Sequence, residues 1–181
     1  DVVIVHTSAP HKGKVSLGCE VNVLPGAIDA CRARGGLIIA QTNKYMPYTY
    51  GDGEYELEAF DAMVEVDEPL KKTTHGAPLD PNDPGYQARI DSAQTIGDLA
   101  SRRIHDGMTL QLGIGEIPDA TLSRLHHLRN MGIWSEMFSD GLLALDAAGA
   151  LDPNRKIMAS FLFGSPELYE WCHLNDRIRI L

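Results

Sequence analysis

Two segments of the chain carry residue types that could do chemistry together. The first is a glycine loop, Gly113-Ile114-Gly115, followed by Glu116, Ile117 and Pro118. Glycines let the backbone approach a ligand closely, and free N–H groups at the start of a helix favour an anion. The second is Glu136, a carboxylate inside the apolar run 133–138. A carboxylate nucleophile beside oxyanion donors is the combination that acyl transfer requires.

Each segment also has a purely structural explanation. An isolated pair of glycines can serve only to turn the chain, and Glu136 can be a surface residue whose side chain alternates outward into water. The residue types alone leave these alternatives open. Pro118 stands where a dinucleotide-binding fingerprint has its third glycine, which argues against that motif, and the chain has no P-loop pattern.

Alternating strand and helix patterns predict the elements that position these residues. The sequence predicts an α/β fold of open, mostly parallel sheets with flanking helices. Before a proline-rich segment at 69–85, strands are predicted at 2–5, 37–40 and 62–66, with a helix at 21–34. After it, strands are predicted at 108–112, 133–138, 157–163 and 178–181, and helices at 86–105, 118–128, 142–148 and 166–173. Ser165 is predicted to cap the last helix ahead of Pro166.

The proline-rich segment predicts two domains, 1–78 and 86–181, joined by a linker at 79–85. Ligands of open parallel sheets bind beyond the carboxyl ends of the strands. We therefore expect the glycine loop and Glu136 at the ends of neighbouring strands.

The composition narrows the class of protein. A net charge of −9 over 181 residues argues against a broad surface for nucleic acid or anionic membrane. No run approaches membrane-spanning length. The three cysteines, Cys19, Cys31 and Cys172, have neither CxxC nor zinc-ligand spacing, so a reducing cytoplasm is the simplest location.

Several strings in the chain resemble one enzyme family. LQLGIGEIPDA (110–120) and GIWSEMFSDG (132–141) are similar to the paired signatures of the acetyl-CoA hydrolase/transferase family, which includes 4-hydroxybutyrate and butyrate:acetate CoA-transferases. The first half is similar too, at GKVSLG (13–18), the loop NKYMP (43–47) and VEVD (64–67). The resemblance runs from end to end of the chain.

This resemblance implies parts of two CoA-transferase-type domains. It implies that Glu136 is the catalytic glutamate, which forms acyl-glutamyl anhydride and glutamyl-CoA thioester intermediates. It also implies that Gly113, Ile114, Gly115, Glu116 and Ile117 contact coenzyme A and the thioester oxygen, and that Asn43, Met46 and Pro47 face Glu136 across an interdomain cleft.

The implied substrates are an acyl-CoA and a short-chain carboxylic acid, or water if the enzyme is a hydrolase. No metal is implied, and a homodimer is possible within the family. We expect the Glu116 side chain to turn outward, and Trp134, Met137 and Phe138 to desolvate Glu136 and so raise its reactivity. Because both ends look cut through structure, this piece is expected to be inactive alone.

A non-catalytic α/β module that binds phosphate or a nucleotide through 113–118 is the alternative hypothesis, and a structural fragment without a ligand is a third. Neither of these two hypotheses requires Glu136, whereas covalent catalysis does.

Overall fold

A computed structural model describes residues 1–71 and 80–181. The predicted boundary at residue 78 and the first linker residue, 79, lie outside the described residues. Residues 80–85 form turns that lead into a helix. None of the described helices is long and apolar enough to cross a membrane.

The first half is built around a three-stranded parallel sheet. Strands β1 (Val2–Ser8), β3 (Leu37–Asn43) and β5 (Ala62–Val66) pair in the order β1-β3-β5. Helix α1 (Leu24–Ala33) buries Ile28 and Cys31 in the same core cluster as Ile38 and Ala40 of β3. A separate antiparallel ribbon pairs β2 (Lys14–Ser16) with β4 (Glu54–Glu56), and a 3-10 helix (Leu57–Ala59) leads from β4 to β5.

Helix α1 begins three residues later than predicted. Val21 is not helical, because its N–H donates to the carbonyl oxygen of Ser160 in the other half of the chain at 3.1 Å. A long-range strand contact therefore takes the residues that the apolar pattern assigned to the first helical turn.

The second half begins with α2 (Tyr86–Ser101) and then alternates strands with short helices. Its elements are β6 (Thr109–Leu110), α3 (Glu116–Leu122), β7 (Gly132–Ile133), β8 (Met137–Phe138), α4 (Gly141–Ala147), β9 (Ile157–Ala159), β10 (Phe161–Leu162), α5 (Pro166–Cys172) and β11 (Ile178–Ile180). The α/β class with mostly parallel sheets is confirmed, since β6-β7, β9-β11 and β8-β10 are all parallel pairs.

Two predicted strands are each broken in two. The run 133–138 divides into β7 and β8, and the run 157–163 divides into β9 and β10. A parallel bridge between Trp134 and Met158 joins β6-β7 to β9-β11 in the order β6-β7-β9-β11, whereas β8 and β10 pair with each other. The prediction of continuous strands was wrong, because local apolar runs do not reveal where a strand changes partners.

Two helices of the second half also differ from the sequence prediction. Helix α2 ends at Ser101, and α3 spans Glu116–Leu122, so that Pro118 is its third residue rather than its first. The predicted cap of α5 is confirmed, because the Ser165 side chain accepts a hydrogen bond from the N–H of Leu168 and Pro166 follows it directly.

Backbone hydrogen bonds join the two halves. The N–H of Leu162 donates to the oxygen of Cys19 at 2.8 Å, which extends the β8-β10 pair by one short antiparallel contact. The N–H of Ile180 donates to the oxygen of Tyr50 at 2.8 Å, and the N–H of Asp52 donates to the oxygen of Ile180 at 3.0 Å. One hydrophobic cluster includes residues from both halves.

We expect Gly51→Ala to destabilise the contact between the halves. Gly51 has φ +132°, and a Cβ there would lie 2.1 Å from the Ile180 oxygen. Backbone strain of this kind costs roughly 1–3 kcal/mol, to which loss of the strand contact adds. Urea unfolding should show a lower midpoint.

Gly26→Ala is the matched control for this substitution. Gly26 lies in α1, where an added methyl group would meet only open space, so alanine should leave stability unchanged or raise it by about 0.5–1 kcal/mol. Equal midpoints for Gly51→Ala and the unsubstituted protein would contradict the expected strain.

Candidate active site

The glycine loop and Glu136 leave the sheet from neighbouring strands. Thr109 pairs with Gly132 and Leu110 with Ile133, both in parallel register. The glycine loop follows β6 and Glu136 follows β7, so both segments emerge at the carboxyl edge of the sheet. The predicted placement at adjacent strand ends is confirmed.

The Ser135 hydroxyl fixes the two segments relative to each other. Its Oγ accepts a hydrogen bond from the N–H of Leu112 at 2.8 Å and donates one to the oxygen of Leu112 at 3.1 Å. Leu112 directly precedes the glycine loop, and Ser135 directly precedes Glu136. Ser135 is not predictable as a site residue from the sequence, because nothing in the local pattern shows that its side chain crosses to another strand.

Glu136 lies at a bend between β7 and β8. Its carbonyl oxygen accepts from the N–H of Ser160 at 2.8 Å and from the N–H of Phe161 at 3.2 Å. Hydrogen bonds from the junction between β9 and β10 therefore hold the backbone of Glu136 from a second side.

The expectation that Trp134, Met137 and Phe138 desolvate Glu136 was wrong. Glu136 is exposed, whereas Met137 and Phe138 are both buried in the core, since the bend interrupts the alternation of the strand. Of the three residues expected to desolvate it, Trp134 lines the same cavity and is 67% exposed.

A cavity of about 400 Å³ lies beside Glu136. Its walls come from the carboxyl ends of all four strands in the order β6-β7-β9-β11. The lining residues are Gln111, Trp134, Ser135, Glu136, Met158, Ala159, Ser160 and Leu181. Gln111 and Ser160 supply polar side chains that the sequence analysis missed, and their only local signal is a position next to a strand end.

The glycine loop lies at a second, smaller cavity of about 210 Å³, which Gly113 and Ile117 help to line. Gln111 lines both this cavity and that of Glu136. Gly115 has φ +108° and ψ −174°, a conformation open essentially to glycine alone. Ile114 is exposed, and Glu116 is exposed as expected. The structure therefore brings the loop and Glu136 to adjacent cavities rather than to a shared one.

The loop of the first half lies against α5. Asn43 is buried and donates from Nδ2 to the oxygen of Glu68 at 2.8 Å. Met46 and Pro47 line a cavity of about 400 Å³ together with Tyr169 and His173, which is distinct from the cavity beside Glu136. The position of this loop opposite Glu136 across an interdomain cleft stays a prediction.

Two cysteines are poor alternative nucleophiles. Burial raises the pKa of the Cys19 thiol to about 12, with a smaller contribution from Glu20. Burial also raises the pKa of Cys172. Both thiols stay protonated near neutral pH, and the thiolate is the reactive form. Within residues 1–71 and 80–181, no three His, Cys, Asp or Glu side chains converge as metal ligands.

Ser135→Ala should loosen the link between the two segments. The substitution removes both hydrogen bonds to Leu112, and we expect a loss of about 1–2 kcal/mol in the free energy of unfolding. Hydrogen exchange of the Leu112 amide should accelerate as well. Ser92→Ala is the control, because the Ser92 hydroxyl donates to the oxygen of Ala88 within α2. An unchanged Leu112 exchange rate in Ser135→Ala would contradict the proposed link.

Gly115→Ala should lower the stability of the protein more than Gly113→Ala does. Alanine at 115 would be forced into a glycine conformation at a cost of roughly 1–3 kcal/mol. At 113 a Cβ would meet Pro118 Cγ at 3.4 Å, an ordinary contact. Thermal unfolding of the two variants provides the comparison, and equal melting temperatures would show that the Gly115 conformation is not required.

Known proteins resemble this chain in sequence and in structure. No protein-family model matches the chain. The chain is 36% identical to the 4-hydroxybutyrate coenzyme A transferase of Clostridium kluyveri over 185 residues, which cover 98% of this chain and 40% of the relative. It is 32% identical to the succinyl-CoA:acetate/propanoyl-CoA:succinate CoA transferase of Fasciola hepatica, covering 98% and 36% respectively.

A solved structure gives the same result. The 4-hydroxybutyrate CoA-transferase of Porphyromonas gingivalis superposes with a TM-score of 0.85 at 31% identity, over 100% of this chain and 44% of that one. The chain thus spans about two fifths of the length of these relatives. The resemblance to the CoA-transferases is confirmed, and the chain is a homologue of these enzymes in sequence and in fold.

Proposed function

We propose that this chain carries the nucleophile of an acyl-CoA:carboxylate CoA-transferase, and that the nucleophile is Glu136. The observation that carries the proposal is the pairing of β6 with β7, which puts Glu136 and the glycine loop at one sheet edge with Ser135 bonded to Leu112. Because the chain spans about 40% of the Clostridium relative, the activity is proposed for the whole protein.

The first half of the reaction consumes the acyl-CoA. The Glu136 carboxylate attacks the thioester carbonyl carbon, the carbon–sulfur bond breaks, and the coenzyme A thiolate leaves an acyl-glutamyl anhydride. The thiolate then attacks the glutamyl carbonyl of the anhydride. This step releases the original carboxylate and forms the glutamyl-CoA thioester.

The second half runs the same steps in reverse with a new carboxylate. The acceptor attacks the glutamyl thioester, the thiolate leaves, and a second anhydride forms. Attack of the thiolate on the acyl carbonyl yields the new acyl-CoA and restores Glu136. If water replaces the acceptor, the enzyme becomes a hydrolase, so the outcome depends on how well water is kept from the intermediates.

The glycine loop would supply the oxyanion donors. Within the part of the chain that the structure describes, the N–H groups of Gly113, Ile114 and Gly115 donate to no backbone or side-chain acceptor. Free N–H groups can stabilise the negative charge that develops on a thioester oxygen. Gln111, which lines both cavities, could contact a thioester that extends from the loop to Glu136.

A covalent adduct on Glu136 is the expected outcome of the central test. The full-length protein is incubated with butyryl-CoA without an acceptor acid, digested, and examined by mass spectrometry. The peptide that contains Glu136 should gain the mass of coenzyme A less water, as a thioester that hydroxylamine removes. Glu136→Gln should form no adduct. Its kcat should fall by at least about 1,000-fold, because the covalent nucleophile is removed.

Glu58→Gln is the matched control, since it changes another exposed glutamate that lines neither the cavity beside Glu136 nor that of the glycine loop. It should retain the adduct. Full activity in Glu136→Gln with no adduct in the unsubstituted protein would refute the proposal. If the unsubstituted protein bound coenzyme A but showed neither the adduct nor transferase activity, the non-catalytic module for phosphate or nucleotides would be the better description. A homodimer and a cytoplasmic location stay predictions.

A further inference from the structure

We propose that Met46 is a positioning residue for Glu136, and that it acts through the backbone of segment 18–21 rather than by contact with the substrate. This inference rests on the proposed function, because a residue can position a nucleophile only if Glu136 is one. It gives the loop 43–47 a role that does not require the loop to face Glu136 across a cleft. A continuous set of contacts leads from this loop to the Glu136 carbonyl.

Met46 is buried, although its neighbour Tyr45 is not. The Met46 side chain is only 7% exposed, whereas Tyr45 is 43% exposed. The Met46 sulfur accepts a hydrogen bond from the N–H of Cys19 at 3.4 Å. A side chain that is packed and bonded in this way presents little surface to a ligand, so its effect on the reaction passes through the residues that it contacts.

Gly18 gives the Met46 side chain its place against segment 18–21. Gly18 has φ +72°, and a Cβ there would collide with Sδ and Cγ of Met46. The backbone of Gly18 is also fixed, because its N–H donates to Ser16 Oγ at 3.0 Å and its oxygen accepts from Thr49 Oγ1 at 2.9 Å. Both of these hydroxyl-bearing residues are buried. Close-packed groups transmit displacement, so a shift of Met46 would move this segment.

Segment 18–21 pairs with β10 and with the residue before it. The oxygen of Cys19 accepts a hydrogen bond from the N–H of Leu162 at 2.8 Å. The N–H of Val21 donates to the oxygen of Ser160 at 3.1 Å. These two bonds flank an antiparallel bridge, and together they hold the start of β10 from the side of the first half.

The same stretch of backbone carries the Glu136 carbonyl. The N–H groups of Ser160 and Phe161 donate to the Glu136 oxygen at 2.8 and 3.2 Å. Ser160 is thus bonded on both sides, to Val21 through its oxygen and to Glu136 through its N–H. Displacement of segment 18–21 would move both donors, and with them the carboxylate. Misplacement of a reacting group by about 1 Å can slow a reaction by about 100-fold.

The test compares Met46→Ala with the unsubstituted full-length protein in the formation of the Glu136 adduct from butyryl-CoA. We expect the maximal rate to fall by about 10- to 100-fold, because the carboxylate is misplaced. The butyryl-CoA concentration that gives half the maximal rate should change by less than about twofold, since no contact with the substrate is lost. Hydrogen exchange in the peptide that contains Ser160 and Phe161 should accelerate by about tenfold. Met46→Leu keeps the volume of the side chain and should restore the maximal rate.

Met63→Ala is the matched control, because Met63 is a methionine of the same half that lies on β5 and is 38% exposed. It should change neither the rate of adduct formation nor the hydrogen exchange. The double variant Gly18→Ala/Met46→Ala should lose less than the product of the two single losses, because the shorter side chain leaves room for the added methyl group. Losses that multiply would contradict the contact between Gly18 and Met46.

The outcomes separate this inference from the proposed function. If Met46→Ala forms the adduct at the normal maximal rate but needs more butyryl-CoA, the positioning role is overturned and Glu136 stands as the nucleophile. If the unsubstituted protein forms no adduct, the proposed function fails, whereas hydrogen exchange still tests whether Met46 supports the backbone of Ser160. Should Met46→Ala not fold, Met46→Val also lacks any atom in place of the sulfur, and a normal maximal rate in this folded variant would contradict the inference.

Discussion

The candidate site depends on one constraint, the parallel pairing of β6 with β7 that the Ser135 hydroxyl completes. Parallel strands deliver their carboxyl ends to the same sheet edge, so the segments that follow them must be neighbours. Ser135 extends the pairing beyond the last ladder residues, because its hydroxyl bonds to both backbone polar groups of Leu112. A loop and a carboxylate that are distant in sequence are thereby held side by side.

The bend at Glu136 is part of a break in the sheet that also allows the two halves of the chain to contact each other. Both central strands break at this level, and β8 and β10 turn away to pair with each other, while β10 also pairs with the segment around Cys19. The carbonyl of Glu136 accepts two N–H groups at the break. The first half of the chain, although far from the carboxylate in sequence, thus helps to fix the backbone that carries it.

The exposure of Glu136 changes the account of its reactivity. A carboxylate in water is hydrated, and a hydrated nucleophile is weak. Trp134, Met137 and Phe138 were expected to remove part of that water, but Met137 and Phe138 lie in the core instead of beside the carboxylate. If Glu136 is the nucleophile proposed above, a substrate that covers Trp134 would have to displace the water, and substrate binding would then be coupled to the reactivity of the carboxylate.

The sequence by itself determined the α/β class, the positions of most elements, the Ser165 cap, and the association of Glu136 with the glycine loop. Each of these depends on spacing within one segment or on motifs within short strings. Only the tertiary structure decided where the strands break, that Glu136 is exposed, and that Ser135, Gln111 and Ser160 line the same cavity. Those features depend on register between strands that are distant in sequence, and a local apolar pattern carries no information about register.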